Sequence, residues 1–301
     1  MRNPTCMNPA GRALFLGLWL AAGIAAPAAT TINTPNQYAY GANIGWLDAR
    51  GDVTRGAAIG QSYCTGYVWS ANAGWICLGN GPTNGWQYSN ASAVDWGVNH
   101  DGEGNLSGCA YGANIGWVLF EQTNGLPKIN LLTGNFSGHA WGANVGWIGF
   151  SNAQAHVRTD AFATGPDSDG DGIPDPFEYR RAGNLTTLSG GAHDQDGDGA
   201  TDTEEYLADT HPTRDMSVLE IVDFERGALS NTVSWITQPT RLYRLEASNA
   251  MPVGVSGGWQ DVGGGLIGPM PNTTLDFSVP APTSTTRFYR VKAILPLTAL
   301  P

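Results

Sequence analysis

The chain has 301 residues, of which 41 are glycine and 11 tryptophan, and charged residues make up only 14 %. That balance disfavours long helices, which need more Ala, Leu, Glu and Lys, and favours short strands joined by tight turns. The net charge of −11 is concentrated: thirteen acidic residues face two basic ones, Arg180 and Arg181, between Asp160 and Asp209, and the rest of the chain balances. Such a distribution argues against a nucleic-acid partner, which needs a basic stripe, and favours a cation ligand.

Residues 1–28 read as an export signal. Arg2 and Arg12 precede or flank an apolar run, Ala13–Ala26, and Ala26-Pro27-Ala28 supplies an A-x-A cleavage site. The run is about 14 residues long, short of the ~20 that span a bilayer. The sequence therefore predicts a mature chain without a membrane span, secreted or held at the cell surface. Cys6 leaves with the signal, and Cys64, Cys77 and Cys109 allow one disulfide in an oxidising compartment. All three pairings are open; Cys64–Cys77 is favoured because the two bracket one predicted hairpin.

Residues 29–157 contain four copies of one unit. They read AYGANIGWL (Ala39–Leu47), VWSANAGWI (Val68–Ile76), AYGANIGWV (Ala110–Val118) and AWGANVGWI (Ala140–Ile148), with a polar insertion around Gly81–Ala91 before the third. Asn tolerates left-handed backbone and Gly adopts it freely, so Ala-Asn-x-Gly between aromatic runs predicts a turn between two strands. In Gly146–Phe150, Trp147 and Gly149 share one face, and Ile148 and Phe150 the other. Large apolar groups on both faces predict that both are covered. A residue placed identically in every unit usually packs against the next unit, so Trp46, Trp75, Trp117 and Trp147 are expected in the core. Tyr40, Trp69, Tyr111 and Trp141 are expected to be the more exposed. A solenoid, a propeller-like ring and a sandwich all satisfy this pattern. The units resemble the Gly-x-Ala-Trp-x-x-Asn-x-Gly-Trp-Ile repeats of exported bacterial proteins, a resemblance covering Asn36–Ser151 and implying location more than activity.

Residues 158–212 carry the clearest chemistry. Asp167–Glu178 and Asp194–Glu205 each fit D-x-D-x-D-G-x5-E, a 12-residue loop that wraps calcium with oxygens from positions 1, 3, 5, 7, 9 and 12. The predicted ligands are Asp167, Asp169, Asp171, the Ile173 carbonyl, Asp175 and Glu178 in the first loop. In the second they are Asp194, Asp196, Asp198, the Ala200 carbonyl, Asp202 and Glu205. Two calcium ions are expected, one per loop; magnesium, which wants a strict octahedron, fits less well. Short helices are predicted over Pro176–Arg181 and Thr203–Ala208, without the preceding helix of a full EF-hand. The loops resemble thrombospondin type 3 repeats and dockerin-like loop–helix units, although the cysteines of the former are missing. The ending Glu205–Pro212 resembles E-Y-x-x-G-T-D-P, with Asp209 in place of Gly and His211 in place of Asp.

Residues 213–301 alternate as strands over Ser217–Phe224, Thr232–Ile236, Leu242–Ala247, Trp259–Val262, Thr273–Ser278 and Arg287–Ile294, which predicts a β-sandwich. Val233–Trp235, Leu242–Glu246 and Phe288–Val291 resemble a fibronectin type III-like module. The fold class expected for the whole chain is mainly β: a β-hairpin repeat domain, a calcium-loop segment with two short helices, and a C-terminal sandwich.

No GxSxG, HExxH, P-loop or Rossmann glycine string is present, and the five histidines are scattered. The expectation is a noncatalytic, calcium-binding modular protein with a structural or adhesive role. The alternative is a carbohydrate-binding protein that uses exposed aromatics of the repeats. The expected partner is accordingly an extracellular polysaccharide or another surface protein.

Overall fold

A computed structural model describes residues 30–249, 258–268, 270, 273–282 and 286–298. The export-signal reading falls on residues 1–28 and lies outside the described residues. The chain is mainly β and divides into two compact units, Met1–Pro166 and Asp167–Pro301. Among the described residues no helix is long and apolar enough to cross a membrane.

In the first unit each repeat forms one antiparallel hairpin. The four are Ile32–Gly41 with Gly45–Asp48, Tyr67–Ser70 with Gly74–Cys77, Leu106–Gly112 with Gly116–Phe120, and His139–Gly142 with Gly146–Gly149. Neighbouring hairpins pair in chain order, and the fourth pairs back onto the first through Tyr40↔Gly149 and Gly41↔Ile148. The result is a closed, barrel-like sheet of eight strands. Closure resolves the architecture that the repeat pattern left open, and it is none of the three forms considered. It also removes the unpaired strand edges at which sheets associate.

Register sorts the repeat letters by role. Inside each hairpin Ala39 faces Leu47, Val68 faces Ile76, Ala110 faces Val118 and Ala140 faces Ile148. These side chains fill the barrel together with Phe120, Phe136 and Phe150. An apolar cavity of about 60 Å³ remains beside the small alanines. An eight-stranded barrel is only wide enough for side chains of this size. The tryptophans therefore stand outside, contrary to expectation: Trp46, Trp117 and Trp147 are 46 %, 48 % and 43 % exposed, more than Tyr40, Tyr111 and Trp141. Only Trp75 is half-buried. Among the described residues the outer face is thus left partly open to solvent.

The turns explain the repeated Asn and Gly. The fourth residue of each turn, Gly45, Gly74, Gly116 or Gly146, has φ between 73° and 76°, the left-handed region where a side chain is strained. Each Asn then reaches the neighbouring hairpin. Asn72 donates to the Ile44 carbonyl, Asn114 to Ala73, Asn144 to Ile115, and Asn43 closes the circle on Val145, all at 3.0–3.1 Å. Four identical bonds ring one rim of the barrel.

The expected Cys64–Cys77 disulfide is not formed. Cys64 is a free, buried thiol within the barrel core, and Cys109 is free as well. The reason is positional: Cys64 lies on the short strand Cys64–Thr65 that pairs with Ala58–Ile59, whereas Cys77 faces Tyr67 across its own hairpin. Burial pushes the Cys64 thiol up to about 12.

Among its described residues the second unit holds two helices, α1 (Asp175–Arg181) and α2 (Asp202–Ala208), and six strands in two three-stranded sheets. One sheet orders Ile221–Arg226, Ser230–Ile236 and Thr274–Pro280; the other orders Gln260–Asp261, Leu242–Ser248 and Phe288–Ile294. Val233 and Trp235 of the first pack with Tyr243 and Leu245 of the second in one core.

Candidate functional site

The acidic segment folds into two loops that share most of their internal hydrogen bonds. The Asp167 carboxylate accepts from Gly170 N at 2.9 Å and Gly172 N at 3.1 Å; the Asp194 carboxylate accepts from Gly197 N at 2.7 Å and Gly199 N at 3.0 Å. Asp171 accepts from Ile173 N and Asp198 from Ala200 N, both at 2.8 Å. These bonds fold each loop around its carboxylates. Oxygens of Asp167, Asp169 and Asp171 lie within 4.8 Å of one another, as do those of Asp194, Asp196 and Asp198.

Helices α1 and α2 bring the twelfth residues in. Glu178 and Glu205 are 0 % exposed. Neither oxygen of Glu178 has a hydrogen-bond partner, and Glu205 has one oxygen free while the other accepts from Thr210 Oγ1 at 3.2 Å. Burial pushes both glutamates up to about 8; Asp169 and Asp171 add to this at Glu178, and Asp196 and Asp198 at Glu205. Asp196 and Asp198 each also carry a buried oxygen without a partner. A buried carboxylate with no donor is costly, and a cation is the group that satisfies it.

The ninth residues are placed differently from the rest. The Asp175 carboxylate accepts from Ser168 N at 2.7 Å and Ser168 Oγ at 2.5 Å. That of Asp202 accepts from Gln195 N at 2.9 Å and Ser189 N at 2.9 Å, and lies 2.7 Å from His193 Nδ1. Both are buried and tie the start of the loop to the start of the helix. Ile173 is fully buried with Phe177, Leu188 and Tyr206 in a small core, and Ala200 is half-buried. Phe177 and Tyr206 meet edge to face at 5.2 Å, which joins the two loop–helix units.

Asp209 explains its own place. It ends α2 with φ 58°, the conformation that glycine would otherwise supply. Its buried carboxylate accepts from Arg180 and Arg181 of the first helix and from Thr240 Oγ1. Arg241 donates to the Leu207 and Tyr206 carbonyls at 2.7 Å and so caps the same helix end. His211 lies beside Thr213 and takes no part in either loop. The spacing of the loop residues did not reveal this junction; the αL demand at Asp209 was its one signal.

On the barrel, each hairpin carries an outward aromatic pair in register. Tyr40 and Trp46 are 5.0 Å apart, Trp69 and Trp75 4.7 Å, Tyr111 and Trp117 4.9 Å, and Trp141 and Trp147 4.9 Å. A third ring meets each tryptophan: Tyr38, Tyr67 and His139 at 6.0–6.3 Å in three hairpins. In the third hairpin that position is Cys109, and Trp96 takes the ring's place, 5.1 Å from Trp117. His139 is therefore part of an aromatic cluster. His100 is instead buried: its Nδ1 lies 2.9 Å from the Gly60 carbonyl, and its Nε2 accepts from Gly104 N at 3.1 Å.

Comparison with family models, curated proteins and solved structures returns no match for this chain.

Proposed function

We propose that this protein is a noncatalytic, exported calcium-binding module with a structural or adhesive role, holding two calcium ions in its acidic segment. The observation that carries the reading is the pair Glu178 and Glu205, fully buried behind two aspartate triads, with both oxygens of Glu178 and one of Glu205 lacking a donor. Calcium takes six to eight oxygens at ~2.3–2.6 Å and accepts bidentate carboxylates, which suits this donor set. Asp167, Asp169, Asp171 and Glu178 would hold one ion with the Ile173 carbonyl; Asp194, Asp196, Asp198 and Glu205 would hold the other with the Ala200 carbonyl. Asp175 and Asp202 support the loops and would reach the ion through water, as position 9 often does. The likeness to thrombospondin type 3 loops agrees with this. We read the two three-stranded sheets that follow as a fibronectin type III-like sandwich, a module that spaces or docks. Residues 1–28 support export.

Titration calorimetry of the chain from Ala29, with melting in calcium and in chelator, tests the reading. Two bound ions and a raised melting temperature are expected. No heat and no shift would overturn it, and hydrolase or lyase activity on a polysaccharide panel would overturn its noncatalytic part.

A second reading, carbohydrate binding by the barrel, is favoured by the exposure of Trp46, Trp117 and Trp147. Rigid exposed aromatics concentrated on one module mark an interaction surface. Retardation in gels containing soluble glycans is the measurement that checks it.

A further inference from the structure

We infer that each of the four hairpins carries one saccharide subsite, so that the barrel wall is a four-valent receptor for neutral glycan chains. The inference rests on the carbohydrate reading above and adds the number, position and charge class of the sites.

The framework accounts for every repeated letter except the outer aromatics. Inner Ala, Leu, Ile and Val fill the barrel; Asn and Gly make the rim. The outward slot faces water, where a Thr or Val would serve a strand equally well. It holds instead an aromatic pair in all four hairpins, with a tilted or edge-to-face geometry of 56–62° throughout. The third hairpin strengthens the point. Its own third ring is missing at Cys109, and Trp96, on the stretch between the insertion and the third hairpin, restores it and also meets Tyr111 at 6.1 Å. Packing of the barrel does not call for that ring. A three-ring binding surface does.

The chemistry of the occupant follows from charge and placement. Residues 30–166 contain seven acidic and four basic side chains, and among the described residues none of the recorded cation–aromatic contacts falls on these clusters. The surface is dominated by uncharged rings, with one carboxylate, Asp48, in register with Tyr38 and Trp69, which suits the C–H faces of uncharged sugar rings and offers nothing to a polyanion. The four clusters follow one another round a closed wall and so face different directions. A bilayer or a flat protein surface is a plane and would meet adjacent clusters only. A closed sheet has no free edge for a peptide strand. A repeating polymer, or several short chains, can occupy all four, and linked sites would raise retention well above the affinity of one.

The test is calorimetry of the chain from Ala29 with the hexaoses of cellulose, xylan, chitin and (1→3)-β-glucan as probes. About four equivalents of one hexaose should bind per chain. Trp46→Ala, Trp75→Ala, Trp117→Ala and Trp147→Ala should each remove one equivalent and leave the others unchanged, with melting temperature preserved. Trp96→Ala should weaken the third subsite alone, by about tenfold, given that stacking contacts are worth on the order of 1–1.5 kcal/mol. On the unaltered chain, bound hexaose should protect these tryptophans from N-bromosuccinimide. Binding of only one equivalent to the unaltered chain, abolished by one of these substitutions, would overturn the four-site placement while leaving the carbohydrate reading standing. So would binding that survives substitution of all four tryptophans. No heat with any hexaose would overturn both, and sedimentation on phosphatidylcholine vesicles would then assign the aromatic wall to a lipid surface.

Discussion

Ser70 and Ala73 occupy a space that the other three hairpins divide differently. Elsewhere a glycine, Gly41, Gly112 or Gly142, lies under a large residue three positions on, Ile44, Ile115 or Val145. A Cβ on Gly112 would stand 2.8 Å from Ile115 Cγ1, and one on Gly142 2.5 Å from Val145 Cγ2. In the second hairpin the plug shrinks to Ala73, and Ser70 fills the gap, accepting from Ala73 N at 3.3 Å. Its hydroxyl also donates to the Ile44 carbonyl at 3.4 Å.

Gly112→Ser alone should therefore destabilise the barrel by about 1–3 kcal/mol through overpacking. Combined with Ile115→Ala it should cost less than the two single changes together, with a coupling of roughly 1 kcal/mol or more. Urea unfolding of the four proteins in this cycle checks it; simple additivity would refute the shared-space account.

The ring of asparagines predicts a uniform response. Asn114→Ala removes the bond to the Ala73 carbonyl and should cost about 0.5–1.5 kcal/mol. Asn114→Asp should cost more, since a carboxylate oxygen would then face that carbonyl. The corresponding changes at Asn43, Asn72 and Asn144 should give similar losses in denaturant unfolding. A large effect at one position and none at the others would mean that the bonds do not act as a ring.

Glu178→Gln should act with opposite signs on two quantities. Without calcium it replaces a buried, donor-free carboxylate by a neutral group, and should stabilise the second unit by on the order of 1 kcal/mol at pH 8. With calcium it removes a ligand charge and should weaken the first site at least tenfold, about 1.4 kcal/mol. Melting in chelator and calorimetry with calcium measure the two effects. Loss of stability in both conditions would assign Glu178 a purely structural role.

His100 gives the barrel an acid sensitivity. Burial holds its imidazole below the ordinary 6.5, against a smaller opposing effect of its bond with Gly60. The unfolded chain therefore takes up a proton at higher pH than the folded one. The stability from the neutral ring is complete above about pH 6.5 and is lost as pH falls through and below it. Tryptophan-monitored unfolding should show a decline from pH 7.5 to pH 5 in the parent. The decline should be shallower in His100→Gln, which is less stable at neutral pH. Parallel profiles would show that His100 is not the sensor.

Local features were legible because local chemistry makes them. The D-x-D-x-D-G-x5-E spacing located both acidic loops, and the helices that follow, α1 and α2, begin within one residue of their expected starts. The Ala-Asn-x-Gly turns are where left-handed tolerance puts them. The roles of Asp175 and Asp202 were not legible, since spacing gives a carboxylate's position along the chain and not which N–H it meets. Nor was the free state of Cys64, whose partner strand lies outside the hairpin it was assigned to.

The sequence by itself determined the four hairpins, their turns and the two carboxylate loops, all set by contacts within about a dozen residues. Which face of each hairpin turned inward was decided only by closure. Trp147 and Ile148 alternate along one strand and are both apolar, so periodicity could not choose between them. Eight strands paired side by side into a closed sheet leave an interior sized for Ala, Val, Leu and Ile. The tryptophans were thereby left on the outer wall.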